Sequence, residues 1–142
     1  MIELTEQPID VVRVIQAVCQ PTAGALVLFL GVVREDGQTA KTVALEYECY
    51  RQMAEKELRR LQSEAASRWP GTSCAIVHRL GKVPLGEATV AIAVAAPHRK
   101  EAYVASQWLI DELKSRVPIW KQQHLSDGAS RWLGEPPANG TR

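Results

Sequence analysis

Apolar and polar positions along the chain follow two periods, and the switches between them predict the elements. Ile9, Val11, Val12, Ile15 and Val18 recur at helical spacing, so Pro8 to Gln20 reads as a first helix with Pro8 in its opening turn. Pro21-Thr22-Ala23-Gly24 breaks it. Ala25 to Val33 is almost continuously apolar and β-branched, the signature of a buried strand, and Gly31 within it marks a bulge or a close backbone approach. Thr42 to Tyr50 alternates with period two: Val43, Leu45, Tyr47 and Cys49 on one side, Thr42, Ala44, Glu46 and Glu48 on the other. Arg51 to Trp69 is the clearest helix, with Met53, Ala54, Leu58, Leu61, Ala65 and Trp69 forming its apolar stripe. Ser73 to Val83 predicts one more strand and Thr89 to Ala95 another, whose alternating alanines suit close packing under a helix. Lys100 to Arg116 is the third helix, with an inward stripe of Ala102, Ser106, Leu109, Ile110, Leu113 and Val117. A polar turn at Ser126-Asp127-Gly128 and a short strand around Arg131-Trp132-Leu133 follow, and a Pro- and Gly-rich tail, 134–142, is expected to be mobile.

This pattern makes residues 1–133 a single α+β domain, and 142 residues suffice for a proper core. A formal charge of +1 and the lack of a basic run argue against nucleic acid as a partner. No apolar run approaches the roughly 20 residues of a membrane span, and the acidic start Met1-Ile2-Glu3-Leu4-Thr5-Glu6 does not resemble a secretory leader. Cys19, Cys49 and Cys74 are odd in number and widely spaced, as in reduced thiols of a cytoplasmic protein. No phosphate-binding loop, serine-nucleophile elbow or metal-ligand spacing occurs, and His78, His98 and His124 stand apart in sequence. The chemical candidates left are cations.

Leu113-Lys114-Ser115-Arg116-Val117-Pro118-Ile119-Trp120-Lys121 is the stretch that concentrates them. Pro118 cannot continue the third helix, so Val117 should be the break. Lys114 would then stand on a helix end and Lys121 on an extended segment, able to face a common space. Arg34, at the end of the Ala25–Val33 strand, has a fork suited to phosphate or carboxylate, or is an ordinary surface arginine. His98 and Arg99 precede the third helix, where unpaired N–H groups receive anions; a helix cap is the equal alternative for His98.

Taken in order, Phe29-x-Gly31-x-Val33-Arg34, Leu45-Glu46-Tyr47-Glu48-x-Tyr50-x-x-Met53-Ala54, His78-Arg79-x-Gly81-x-Val83-x-x-Gly86-Glu87, Pro97-His98-Arg99 and Leu113-Lys114-x-x-Val117-Pro118-Ile119-Trp120-Lys121 resemble the large, catalytic subunits of molybdopterin synthase, the MoaE family. The resemblance implies an α/β-hammerhead fold, a mixed and mostly antiparallel sheet packed with about three helices. It also implies a homodimer within a heterotetramer, each end carrying a small ubiquitin-like sulfur-carrier subunit. Sulfur would pass twice from the carrier's C-terminal Gly-Gly thiocarboxylate to cyclic pyranopterin monophosphate, yielding the molybdopterin dithiolene. No bound cofactor or metal is implied. The family's substrate-contacting positions fall on Val32, Val33 and Arg34, on His98 and Arg99, and on Lys121, Gln122 and Gln123; its two active-site lysines fall on Lys114 and Lys121. Gln123 departs from the family's usual glutamate. That lost carboxylate keeps open an alternative, a carrier- or anion-binding scaffold without turnover. Five cations (Arg34, His98, Arg99, Lys114, Lys121) are expected to converge on one recess and offset the repulsion between two anionic partners.

Overall fold

The computed structural model describes residues 1–36 and 39–134. Among these residues, eight strands and three helices form, and the strands build two four-stranded sheets rather than one. The first contains β1 (Ile2–Thr5), β4 (Ser73–Arg79), β6 (Ala88–Ala96) and β2 (Ala25–Val32), in that spatial order. β1 runs parallel to β4 and the remaining pairs are antiparallel. The second contains β5 (Gly81–Pro84), β3 (Thr42–Cys49), β7 (Ile119–Leu125) and β8 (Ser130–Leu133), all antiparallel.

The predicted Ser73–Val83 strand divides because Gly81 adopts φ +75°, a conformation that side chains disfavour. The chain turns there and passes from the first sheet into the second. Between Val32 and Thr42, and between Cys49 and Ser73, it crosses the same gap. The space between the sheets is lined by strands of both.

α2 (Arg51–Arg68) and α3 (Arg99–Arg116) cover one face of the first sheet, where Leu58, Leu61, Ile76, Ile92, Leu109 and Leu113 form the main core. Met53, placed in the helical stripe by the sequence, is instead exposed. On the opposite face, Ala91, Ala93 and Ala95 of β6 give the close approach their size suggested, here to Val14 of α1 (Val11–Gln16) and to Val18 just beyond it. α1 is shorter than predicted. Asp10, not Pro8, opens it by accepting a hydrogen bond from the Arg13 N–H at 3.2 Å. Val12, assigned to the apolar stripe, faces solvent, and Val14 takes the inward position.

α1 leaves the outer part of β2 uncovered. Leu26, Leu30 and Val32 are exposed along this edge strand. The start of β2 abuts the start of α3: Gly24 N–H donates to Ala96 C=O at 3.0 Å, and a Cβ on Gly24 would lie 2.6 Å from the Pro97 carbonyl oxygen. Only glycine fits this approach. β2 thus runs from the Pro97–Arg99 corner at one end to Arg34 at the other.

Candidate active site

Between the two sheets, and beneath the last turn of α3, lies an open cleft of about 690 Å³. Each wall follows from local sequence. α3 ends at Val117, whose φ −85° and ψ 127° are extended, the geometry Pro118 imposes on its predecessor. β7 starts two residues later, so Lys114 and Lys121 reach the cleft from a helix end and from a strand, as the sequence predicted. β2 contributes Phe29, Gly31 and Val32, and Arg34 follows as the strand leaves the core. Gly31 is required here: an added Cβ would sit 2.8 Å from Val90 Cγ1 and 3.1 Å from Thr89 Oγ1. The Thr89 hydroxyl donates to the Gly31 carbonyl at 3.2 Å and holds that wall.

β3 lines the cleft with Leu45 and Tyr47, and Tyr47 also packs against the main core. Thr42 and Ala44, two apart on the other face, are buried, and Val43 is exposed. Tyr47 and Lys121 are paired across β3 and β7, and both line the cleft. The Lys121 ammonium is half buried, and desolvation first, then the charge of Lys114, lowers its pKa below the ordinary 10.5.

His78 also reaches the cleft, from β4. Its Nδ1 lies 2.8 Å from the Arg79 carbonyl oxygen, so Nδ1 carries the proton, and its ring meets Tyr47 edge-on at 4.9 Å. Burial brings its pKa from 6.5 down to about 4, outweighing the contribution of that carbonyl. Because the folded pKa is depressed, an unfolded chain takes up a proton between pH 6.5 and 4 that the folded chain refuses. Stability should therefore fall as pH drops through this window, by about 3 kcal/mol in total. Urea unfolding measured at several pH values should display this slope, and His78→Gln should remove most of it.

Of the five cations expected in one recess, the chain itself assembles three: Arg34, Lys114 and Lys121. His98 and Arg99 stand at the opposite end of α3, fifteen residues and roughly 22 Å from Lys114 at 1.5 Å per residue. His98 is the residue before α3 but makes no capping hydrogen bond with its side chain. Val33 is buried, 1% exposed, and Gln122 turns from the cleft to donate to Ser130 Oγ at 3.0 Å. Gln123 does line the cleft. Its amide donates to Asp36 Oδ2 at 2.8 Å and to Thr42 Oγ1, and its carbonyl accepts from Arg131 Nε at 2.7 Å. Asp36, Tyr47, His78, Thr89 and Arg131 are wall residues that sequence reasoning missed. β8 places Arg131 directly opposite Gln123, a pairing that the sequence does not announce.

With Arg34, Lys114, Lys121 and Arg131 against Asp36, the cleft is cationic and suits an anion. Among the described residues no group of three or more His, Cys, Asp or Glu side chains is placed to hold a metal ion. No described helix is long and apolar enough to cross a membrane. Cys19 is exposed, Cys49 half buried and Cys74 buried, all three as free thiols, and none lines the cleft.

A family model described as "MoaE protein" matches residues 4–116. A molybdopterin synthase catalytic subunit of Bacillus subtilis is 44% identical over 133 residues, covering 94% of this chain and 84% of that protein. Its counterpart in Bos taurus is 42% identical over 132 residues, covering 93% and 70%. The crystal structure of molybdopterin synthase from Staphylococcus aureus superposes with a TM-score of 0.89 at 41% identity, covering 94% of this chain and 96% of that one.

Proposed function

The chain belongs to the MoaE family of molybdopterin synthase catalytic subunits, and we propose that its cleft is where sulfur passes from a carrier's thiocarboxylate to cyclic pyranopterin monophosphate. The observation that carries this reading is the joint presence of Arg34, Lys114 and Lys121 in one cleft where, among the described residues, Asp36 is the single carboxylate. Both reactants are anions, so bringing them together requires positive charge already in place.

In the proposed sequence, Lys114 orients the thiocarboxylate while its sulfur attacks a carbon of the substrate and a carbon–oxygen bond at that carbon breaks. The oxygen leaves with the opening cyclic phosphate in the first cycle and as water in the second. The product of that attack is a thioester joining carrier and pterin. Water then adds to the acyl carbon, Lys114 stabilises the tetrahedral oxyanion, and the carbon–sulfur bond breaks. Sulfur stays on the pterin and the carrier leaves as a carboxylate. A second carrier repeats the cycle. Lys121, with its lowered pKa, moves protons as the cyclic phosphate opens and as each sulfur adds.

The same proposal accounts for His98 and Arg99. β2 is an exposed edge strand of eight residues with an apolar stripe, and such an edge invites pairing. A twofold axis crossing the middle of β2 would exchange its two ends. The Pro97–Arg99 corner of one subunit would then lie beside the Gly31–Arg34 wall of the other. The length of β2, roughly 25 Å, matches the separation of Arg99 from Lys114 along α3. A homodimer of this form completes each site with both halves, and a small carrier subunit at each end gives a heterotetramer.

Gln123 does not favour the scaffold reading, because Asp36 supplies a carboxylate at 2.8 Å from its amide. The test is direct: the chain, a thiocarboxylated carrier and cyclic pyranopterin monophosphate are mixed, and the pterin is followed by mass. Gain of two sulfurs supports catalysis. Carrier binding without a change of mass selects the scaffold.

A further inference from the structure

Resting on this reading of the cleft, we propose that Arg131 is an additional anion-positioning residue, aimed by a relay of Asp36 and Gln123. Three of the relay's contacts are defined. Arg131 Nε donates to Gln123 Oε1 at 2.7 Å, and Gln123 Nε2 donates to Asp36 Oδ2 at 2.8 Å and to Thr42 Oγ1. All four residues line the cleft, while Gln123 itself is 3% exposed and cannot exchange its partners for water.

The orientation of the amide is forced by chemistry. Arg131 is a donor only and an ionised Asp36 an acceptor only, so the carbonyl must face the first and the NH2 the second. A glutamate at 123 could accept from Arg131 but would have no proton for Asp36, and two carboxylates would meet at hydrogen-bond distance. Gln123 is therefore matched to Asp36. The glutamine does not simply lose a charge; the carboxylate stands one residue further out, on the segment after β2, and the amide transmits its orientation to Arg131.

The consequence lies at the cleft mouth. Arg131 is exposed, and among the described residues the bond through Nε is its sole hydrogen bond. Its two Nη groups remain for a ligand and form a fork that suits two oxygens of one anion. Two sources could supply that anion: the phosphate of the pterin substrate, through two oxygens, or the terminal thiocarboxylate of the carrier tail, through one oxygen and one sulfur.

The experiment measures steady-state sulfur transfer with pterin and carrier varied in turn, for wild type, Arg131→Ala, Gln123→Glu, Asp36→Asn and the Gln123→Glu/Asp36→Asn double variant. Arg131→Ala should raise the KM for one reactant about tenfold with kcat retained, the loss of one charge-assisted contact. A rise for the pterin identifies phosphate as the ligand, and a rise for the carrier identifies its thiocarboxylate. Gln123→Glu should raise the same KM, and adding Asp36→Asn should restore it, because the side-chain amide introduced at position 36 can donate where Gln123 did. Additive losses without rescue, or unchanged KM values in Arg131→Ala, would overturn the proposal. Thermal melts of each variant separate rescue of KM from rescue of folding. Absence of turnover in the wild type would count against the sulfur-transfer reading, whereas wild-type turnover with an inert Arg131 counts against this inference alone.

Discussion

Replacing Lys121 with alanine should lower the rate of sulfur transfer by roughly a hundredfold to ten-thousandfold, the range for a positioned proton-transfer group. The substitution removes an ammonium whose pKa is already lowered by burial and by Lys114. Lys121→Arg separates charge from proton transfer. The guanidinium keeps the cation but cannot give up its proton near neutral pH, so this variant should bind the substrate and still turn over slowly. Lys114→Arg should be milder than Lys121→Arg, because the proposed task of Lys114 is electrostatic. Lys114→Ala should cost about a hundredfold or more, as for the loss of one oxyanion donor. The pH profile gives a second reading: the limb due to Lys121 should lie below 10.5, and Lys114→Ala should move it upward by removing a neighbouring positive charge. Single-turnover rates over a pH series check both, and an activity that survives both alanine variants would contradict the roles given to these side chains.

The second large effect is a gain. Lys114→Ala/Lys121→Ala chains and His98→Ala/Arg99→Ala chains should each be nearly inactive alone. Mixed under conditions that exchange subunits, they should recover about a quarter of wild-type activity. Half of the dimers are then mixed, and one of the two sites in each mixed dimer is intact. The same mixture should stay inactive if every site draws all its residues from one chain. Leu30→Glu, in the exposed stripe of β2, should abolish the recovery by separating the subunits, which sedimentation would register as a monomer.

The elements that carry the core were legible because burial imposes a period. α2 and α3 appear within a residue or so of their predicted bounds, and the alanines of β6 mark where α1 packs. β7 was not legible. Four of its seven residues are Lys121, Gln122, Gln123 and His124, polar because they face the cleft or the rim rather than a core. β1 is only four residues long and is held by parallel pairing with β4, a partner more than seventy residues away. The division of the predicted Ser73–Val83 strand rests on one backbone angle at Gly81. For the site, Pro118 between two lysines was a local signal with a local consequence, and it placed both correctly. His98 and Arg99 were a different matter: the predicted third helix already set them a helix length from Lys114, and sequence order does not reveal which surface stands opposite that corner. His78 and Arg131 enter the cleft only because two sheets face each other, and nothing adjacent to them in sequence announces it.

A crystal structure of the chain bound to its thiocarboxylated carrier would test the central claim most directly, with the terminal sulfur located by its anomalous signal. The sulfur should lie within about 4 Å of the Lys114 or Lys121 ammonium, inside the cleft bounded by Gly31 and Tyr47. A terminal sulfur found on any other surface, with this cleft empty of the carrier's tail, would contradict the account.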